Sequence, residues 1–163
     1  MLIKTWRFIT LVLTALLMGM TFCHVLEMPA KMRYPASFYL TIHRSLYVAF
    51  GPPNIGVFIE IGAILAAVVL VFLVRKERPD FWWTLIGAVC LVVGLIVFFM
   101  FVEPANVAMK RMIIDMPPDD FFYWRNQWEY GHAAHFVLNL LGFSALLQSI
   151  LHVANLGTAR RAG

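Results

Sequence analysis

The chain has 163 residues, 61% of them hydrophobic and 13% charged, with mean hydropathy +0.78 and a formal net charge of +4. A soluble domain carries about 25% charged residues, and the apolar excess here is gathered into four long runs, which excludes a water-soluble fold and a disordered chain. The basic balance does not suggest nucleic acid, because Lys and Arg beside membrane spans set orientation and meet anionic lipid.

The runs cover about residues 6–27, 55–75, 80–103 and 127–153. Each approaches the roughly 20 residues that a bilayer core demands, and unpaired backbone in lipid forces them into helices. The expectation is all-α: a single domain, 1–163, built as a four-helix transmembrane bundle with short amphipathic helices in the extracytoplasmic loops. The first run follows Lys4 and Arg7, as a secretory signal would, but no clear small-x-small cleavage site follows it, so it is read as a retained span. It ends in "CHVLE", which supplies His24 and Glu27.

After it, "ASFYLTIHRSLYVAF" (Ala36 to Phe50) places Phe38, Ile42, Leu46 and Phe50 four apart. That stripe predicts a short amphipathic helix lying over the bundle mouth, with His43 solvated beside Arg44. "GPPN" is a turn, with Asn54 a candidate N-cap for the second span. Glu60 lies within that span. "RKERPD" (Arg75 to Asp80) is a compact basic turn. The third span ends in "FVEPAN", with Glu103 and Asn106, and the fourth opens on "EYGHAAH", with Glu129, His132 and His135. Trp124 and Trp128 before it are read as interfacial. Gly62, Ala66, Gly87 and Gly94 are candidates for tight helix contacts. Cys23 and Cys90, on different spans, form no disulfide framework and are read as small buried hydrophobes. His152, near the inner end of the last span, is assigned no role.

Short tails and a tight turn carry Lys4, Arg7, Arg75, Lys76, Arg78, Arg160 and Arg161. By the positive-inside rule both termini are cytoplasmic in an inner (plasma) membrane. Because consecutive spans alternate, the acids and imidazoles above all fall in one half of the bundle. Ionisable groups cost a few kcal/mol at a helix centre and face the interior or a wet cavity, so four helices are expected to aim them into one pocket.

Several chemistries fit that inventory. A metal site of Fe, Mn, Zn or Cu would draw on His24, Glu27, Glu60, Glu103, Glu129 and His132, since Glu-x-x-His units with single glutamates furnish dinuclear bundles. Copper would also suit Met28, Met32, Met109, Met112 and Met116. Cofactor-free acid–base chemistry would use His132 or His135 with Asn106. Haem held by two histidines is a further option. The plainer alternative is that these groups pair only to satisfy burial and fix helix register.

"HVLEMPAK" (His24 to Lys31), "FVEPAN" (Phe101 to Asn106) and the W-x3-W-x3-H-x2-H run from Trp124 to His135 resemble the small four-helix membrane proteins of the anthrone-oxygenase-like family, many of them without known function. The resemblance covers most of the chain. Pro104 and Asn106 match a Pro-x-Asn after the third helix, and Trp124 and Trp128 match tryptophans before the fourth. His135 stands where the family often has Arg. What the resemblance implies is oxidation of a lipophilic aromatic or quinone-like molecule, without a dedicated cofactor. The His135 departure points away from anthrone itself and toward an altered site, one able to hold a metal. The expectation is an oxidoreductase or oxygenase-like protein whose partners are the bilayer and a lipophilic small molecule. The rival expectations are an accessory subunit of a larger membrane complex, a homo-oligomer, or a metal-handling protein.

Overall fold

In a computed structural model the backbone is described for residues 1–78 and 80–162, and the side chains for residues 1–78 and 80–151. His152, Arg160 and Arg161 therefore lie outside the described side chains. The elements are α1 (Leu2–Lys31), α2 (Ala36–Ser45), α3 (Ile55–Val74), α4 (Asp80–Val97), a π turn (Phe98–Val102), α5 (Glu103–Arg111) and α6 (Phe121–Ala162). Four helices are long and apolar enough to cross a membrane: α1, α3, the continuous Asp80–Arg111 stretch and α6. The protein is a multi-pass membrane protein built as a four-helix bundle.

Two of these helices overrun their expected ends. α1 continues past Glu27 to Lys31, across Pro29. The third helix continues past Glu103 to Arg111, across Pro104. Proline lacks an N–H and its ring presses on the carbonyl four residues back, which is why both prolines read as terminators. Before Pro104 the helix widens instead, into the π turn, where bonds reach five residues back. The Phe101 carbonyl within that turn accepts from Gln127 Nε2 at 3.0 Å.

α6 and α4 are the closest pair, and glycines set their separation. A Cβ on Gly87 would lie 2.8 Å from Leu146 Cγ and 3.1 Å from the Gly142 carbonyl, and one on Gly142 would lie 3.2 Å from the Gly87 carbonyl. Gly94 leaves room for His135 and Asn139, and Gly131 for Val102. Small residues let backbones approach where lipid offers no hydrophobic drive. Gly62 meets only the Leu13 side chain, at 3.7 Å, an ordinary contact.

The interior divides in two along the helix axes. Toward the chain termini, Leu17, Ala63, Ala67, Leu70, Leu91 and Leu146 form an apolar core. This end is tied by Arg7 Nη2 to Asp80 at 2.8 Å, with Glu77 at 3.7 Å, and by a 3.0 Å hydroxyl pair between Thr84 and Ser149. At the opposite end, Tyr39, Leu40, Val102, Met109, Phe121 and Trp128 form a second cluster beneath α2.

α2 does lie over the bundle, but on another face than its apolar stripe predicts. Tyr39, Leu40 and His43 are buried, whereas Phe38 and Leu46 are exposed. The reason is that a helix at a membrane surface has two apolar neighbours, bundle and bilayer, so an apolar stripe alone does not mark the bundle side. Arg44 fastens α2 to the end of α5 by donating to the carbonyls of Met109 and Met112. Asn54 begins α3 without a side-chain cap; its Nδ2 donates to the Val48 carbonyl at 2.6 Å. Cys23 is exposed and Cys90 half-buried, both free, so Cys23 is not the buried hydrophobe expected of it.

Replacing Gly87 by Val forces a branched side chain into Leu146 and the Gly142 backbone, at a cost of about 1–3 kcal/mol for overpacking. Thermal melting in detergent, followed by circular dichroism, is expected to show a clear drop for Gly87→Val. Gly19→Ala, where an added Cβ meets nothing within 4 Å, is expected to melt at or slightly above the parent temperature.

Candidate functional site

Between the two clusters lies a cavity of about 280 Å³. α1 contributes His24 to it, the α2 region His43 and Tyr47, α3 Glu60, and the π turn Phe98. α5 adds Glu103 and Asn106, and α6 adds Trp128, His132 and His135. Four helices and the lid thus bring imidazoles, carboxylates and an amide to one hollow. Its floor is closed by Leu17, which belongs to the apolar core below. Its rim, where Lys110, Val48 and Pro53 are exposed, lies between the α2–α3 loop and α5.

His24 and His132 face each other across the cavity wall, ring centroids 4.0 Å apart and planes 30° from parallel. Trp128 stands edge-on to both, at 4.9 and 4.3 Å. Tyr47 and Phe50 approach His24 at 4.8 and 5.3 Å. In each histidine Nδ1 is buried without a hydrogen-bond partner. Nε2 is neither enclosed in that way nor hydrogen-bonded to protein, so it is the nitrogen each ring presents to the cavity.

At the lid end, Asn106 organises a network. Trp128 Nε1 donates to Asn106 Oδ1 at 2.7 Å, and because an indole only donates, this fixes which way the amide points. Asn106 Nδ2 then donates to Glu103 at 3.0 Å. His43 Nε2 lies 3.1 Å from the same Oδ1, so it must donate. Burial pushes the His43 pKa down to about 4, with the Asn106 hydrogen bond opposing that shift only in part. His43 is therefore buried and neutral, where the sequence suggests a solvated side chain. At the floor, Glu60 Oε1 lies 3.0 Å from His135 Nε2. The contact is off the line of a hydrogen bond, and neither atom has another partner. Asn139, one turn further along α6, also has no partner at either end of its amide.

Glu27 and Glu129 turn away from the cavity. Glu129 Oε1 accepts from Tyr39 at 2.8 Å and lies 3.2 Å from Lys31 Nζ. The ammonium sits over the faces of Trp128 and Tyr47, at 4.5 and 5.0 Å to their centroids, and 3.7 Å from Glu27. Tyr47 donates to Glu27. Burial, then the neighbouring carboxylates, push both Tyr39 and Tyr47 far above the ordinary phenol pKa, so both act as donors.

The six residues expected to hold a metal therefore fall into four separate contacts: Glu27 and Glu129 around Lys31, Glu60 with His135, Glu103 with Asn106, and His24 with His132. Among the described residues no three His, Cys, Asp or Glu side chains converge as ligands would. The stacked His24–His132 pair is the nearest approach to a ligand set, with both Nε2 atoms on the same hollow. Met109 and Met112 are buried in the apolar cluster and Met116 is exposed, and none of these, nor Met28 or Met32, lines the cavity that His24 and His132 share.

No family model, curated protein or solved structure matches this chain. The site is accordingly read from its own geometry.

Three residues escaped the sequence reading. Lys31 counted as a loop charge because the apolar run stops at Glu27; the four-residue step from Glu27 to Lys31 is the pattern that would have extended the helix. His43 was lost to the wrong face of α2. Trp128 passed for an interfacial tryptophan, yet it is 2% exposed and central to the site.

Lys31→Met leaves Glu129 buried with its charge unpaired, a loss of about 3–5 kcal/mol. Adding Glu129→Leu removes the orphaned charge, so the double variant is expected to melt above the Lys31→Met single. His43 yields a pH prediction. Its folded pKa, about 4, lies below the ordinary 6.5, so the unfolded chain binds the extra proton. Its stabilising contribution is complete above about pH 6.5 and is lost as pH falls toward 4. Melting temperature measured across that window is expected to fall less steeply in His43→Gln than in the parent.

Proposed function

We propose that the protein is an oxidoreductase of the oxygenase type that takes a lipophilic aromatic molecule from the bilayer into this cavity. The observation that carries the reading is His132: its Nε2 faces an aromatic-walled hollow while its Nδ1 is shut away. Such an imidazole is placed to accept a proton from a ring hydroxyl or an acidic ring C–H. General bases act within hydrogen-bond reach of the proton they take. His24, stacked on His132, shares that wall. His135 is held against Glu60 at the floor and is not the first base. Asn106 positions Trp128 and His43 and borders the bound ring.

The reaction that fits is base-initiated oxidation. Loss of a proton makes the ring electron-rich, and dioxygen, which dissolves in lipid, is the co-substrate. For a hydroquinone, two electrons and two protons pass to dioxygen, giving quinone and hydrogen peroxide. The resemblance to the anthrone-oxygenase-like family supports dioxygen as the oxidant of an aromatic ring; with a hydroquinone the dioxygen takes up electrons and protons and inserts no oxygen atom. A cavity of about 280 Å³ sits just under the range of roughly 300–1,000 Å³ usual for small-molecule sites, which favours a compact ring system. The basic turn at Arg75–Arg78 supports a topology with both termini in the cytoplasm and the cavity opening toward the extracytoplasmic face of an inner membrane.

Oxygen uptake by protein in lipid nanodiscs, with trimethylhydroquinone as the probe, tests this. The parent is expected to consume oxygen above the rate of empty nanodiscs. His132→Ala is expected to lose about 10²–10⁴-fold, the usual worth of a positioned base, with its melting curve retained. Turnover unchanged in a folded His132→Ala protein would remove the histidine from the chemistry.

A further inference from the structure

The cavity has hydrogen-bonding groups at both ends and a wall of aromatic and imidazole rings between them. At its floor, Glu60 is 6% exposed and its Oε1 has no hydrogen-bond partner. Its other oxygen, Oε2, is neither bonded to protein nor fully enclosed, and the residue lines the hollow. At the lid end, Asn106 Oδ1 is occupied by Trp128 and His43, and one N–H of Nδ2 by Glu103. An amide nitrogen carries two hydrogens, so one N–H remains, with the Glu103 carboxylate beside it. Phe98, Trp128 and the His24–His132 pair form the wall between.

The spacing of the two ends follows from α6. Trp128 bonds Asn106 and His135 touches Glu60, and at 1.5 Å per residue the seven residues from one to the other separate these levels by about 10 Å. One six-membered ring with an oxygen at each end, plus a hydrogen bond of about 2.8 Å at each oxygen, fills such a gap. A ring with one oxygen, or with two side by side, satisfies only one end.

We infer that the cavity selects para-dioxygenated single rings, the hydroquinone–quinone class, by hydrogen-bonding one ring oxygen to Glu60 and the other to the remaining N–H of Asn106. This rests on the reading of the cavity as a site for a lipophilic aromatic molecule and narrows it. The two ends suit both redox forms. A carboxylate accepts from a hydroquinone hydroxyl and a carboxylic acid donates to a quinone carbonyl; at the lid end the amide N–H donates to the ring oxygen of either form, which leaves the hydroquinone proton at that end for His132. Glu60 is thereby a specificity-determining residue.

Isothermal titration of the full chain in nanodiscs, corrected against empty nanodiscs, compares tetramethylhydroquinone with tetramethylphenol, which lacks the second oxygen. The hydroquinone is expected to bind about tenfold tighter, the equivalent of about 1.4 kcal/mol. Glu60→Leu is expected to bring the two probes to equal affinity, while Glu60→Gln, whose amide both donates and accepts, keeps most of the preference. Asn106→Leu is expected to erase it from the other end; if that variant does not fold, the Glu60 pair decides. Equal binding of both probes to the parent, or a preference untouched by Glu60→Leu, overturns the inference. If this happens while His132-dependent oxygen uptake persists, the two-ended recognition alone fails. If neither probe binds and no uptake is seen, the broader reading falls with it.

Discussion

An ionisable side chain inside a membrane bundle must find a partner or a wet surface, and that requirement organises this molecule more than any apolar contact does. The Lys31–Glu129 pair is the clearest instance. Lys31 is 3% exposed on its side chain and Glu129 is fully enclosed. Neither could stay charged alone at that burial without a penalty of several kcal/mol. Tyr39 donates to the same carboxylate, and Trp128 and Tyr47 offer their faces to the ammonium. One charge pair therefore fastens α1, the α2 lid and α6 together at the height where the cavity begins. Trp128 belongs to both arrangements, since its ring lies under Lys31 while its N–H orders Asn106. The fastening of the lid and the shape of the cavity are thus set by the same side chain.

The placement of the buried polar groups carries more than their pairing does. Arg7 with Asp80, Lys31 with Glu129, and Thr84 with Ser149 are matched within the protein and hold helices together. His24, His132, Glu60 and His135 are buried equally well yet leave polar atoms without hydrogen bonds. The ion-paired groups also carry atoms without a hydrogen bond, Arg7 Nε, Lys31 Nζ and Glu129 Oε2; what sets the other four residues apart is that all of them line the one hollow.

Much of the architecture was legible in the sequence because a bilayer makes one demand that hydropathy states directly. The four spans and the convergence of acids and imidazoles in one half of the bundle follow from apolar run lengths and from helix alternation. The fine placement was not legible, for identifiable reasons. Residues three apart on a helix differ by about 60° around the axis, enough for His132 to face the cavity while Glu129 turns to Lys31. The apolar runs stop near Glu27 and Glu103 while the helices continue past Pro29 and Pro104, and the π turn at Phe98–Val102 shows how a helix passes the second of them. The stripe on α2 marked Phe38 and Leu46 as lid contacts, while the contacts are Tyr39, Leu40 and His43. In each case the sequence recorded the chemistry of the residue and tertiary packing decided its direction.

The position of the apolar core limits what the polar half can do. Leu17, Ala63, Leu91 and Leu146 fill the bundle between the Glu60–His135 floor and the Thr84–Ser149 pair. The glycines that draw α4 against α6 sit at this level, and they close the interior by bringing Leu91 and Leu146 against the backbone opposite. Protons released in the cavity would meet a plug of hydrocarbon below Asn139 and would leave by the side on which Glu103 and Lys110 stand. A hollow sealed at its base, walled by aromatics and open at one rim suits a molecule that arrives from the bilayer and returns to it.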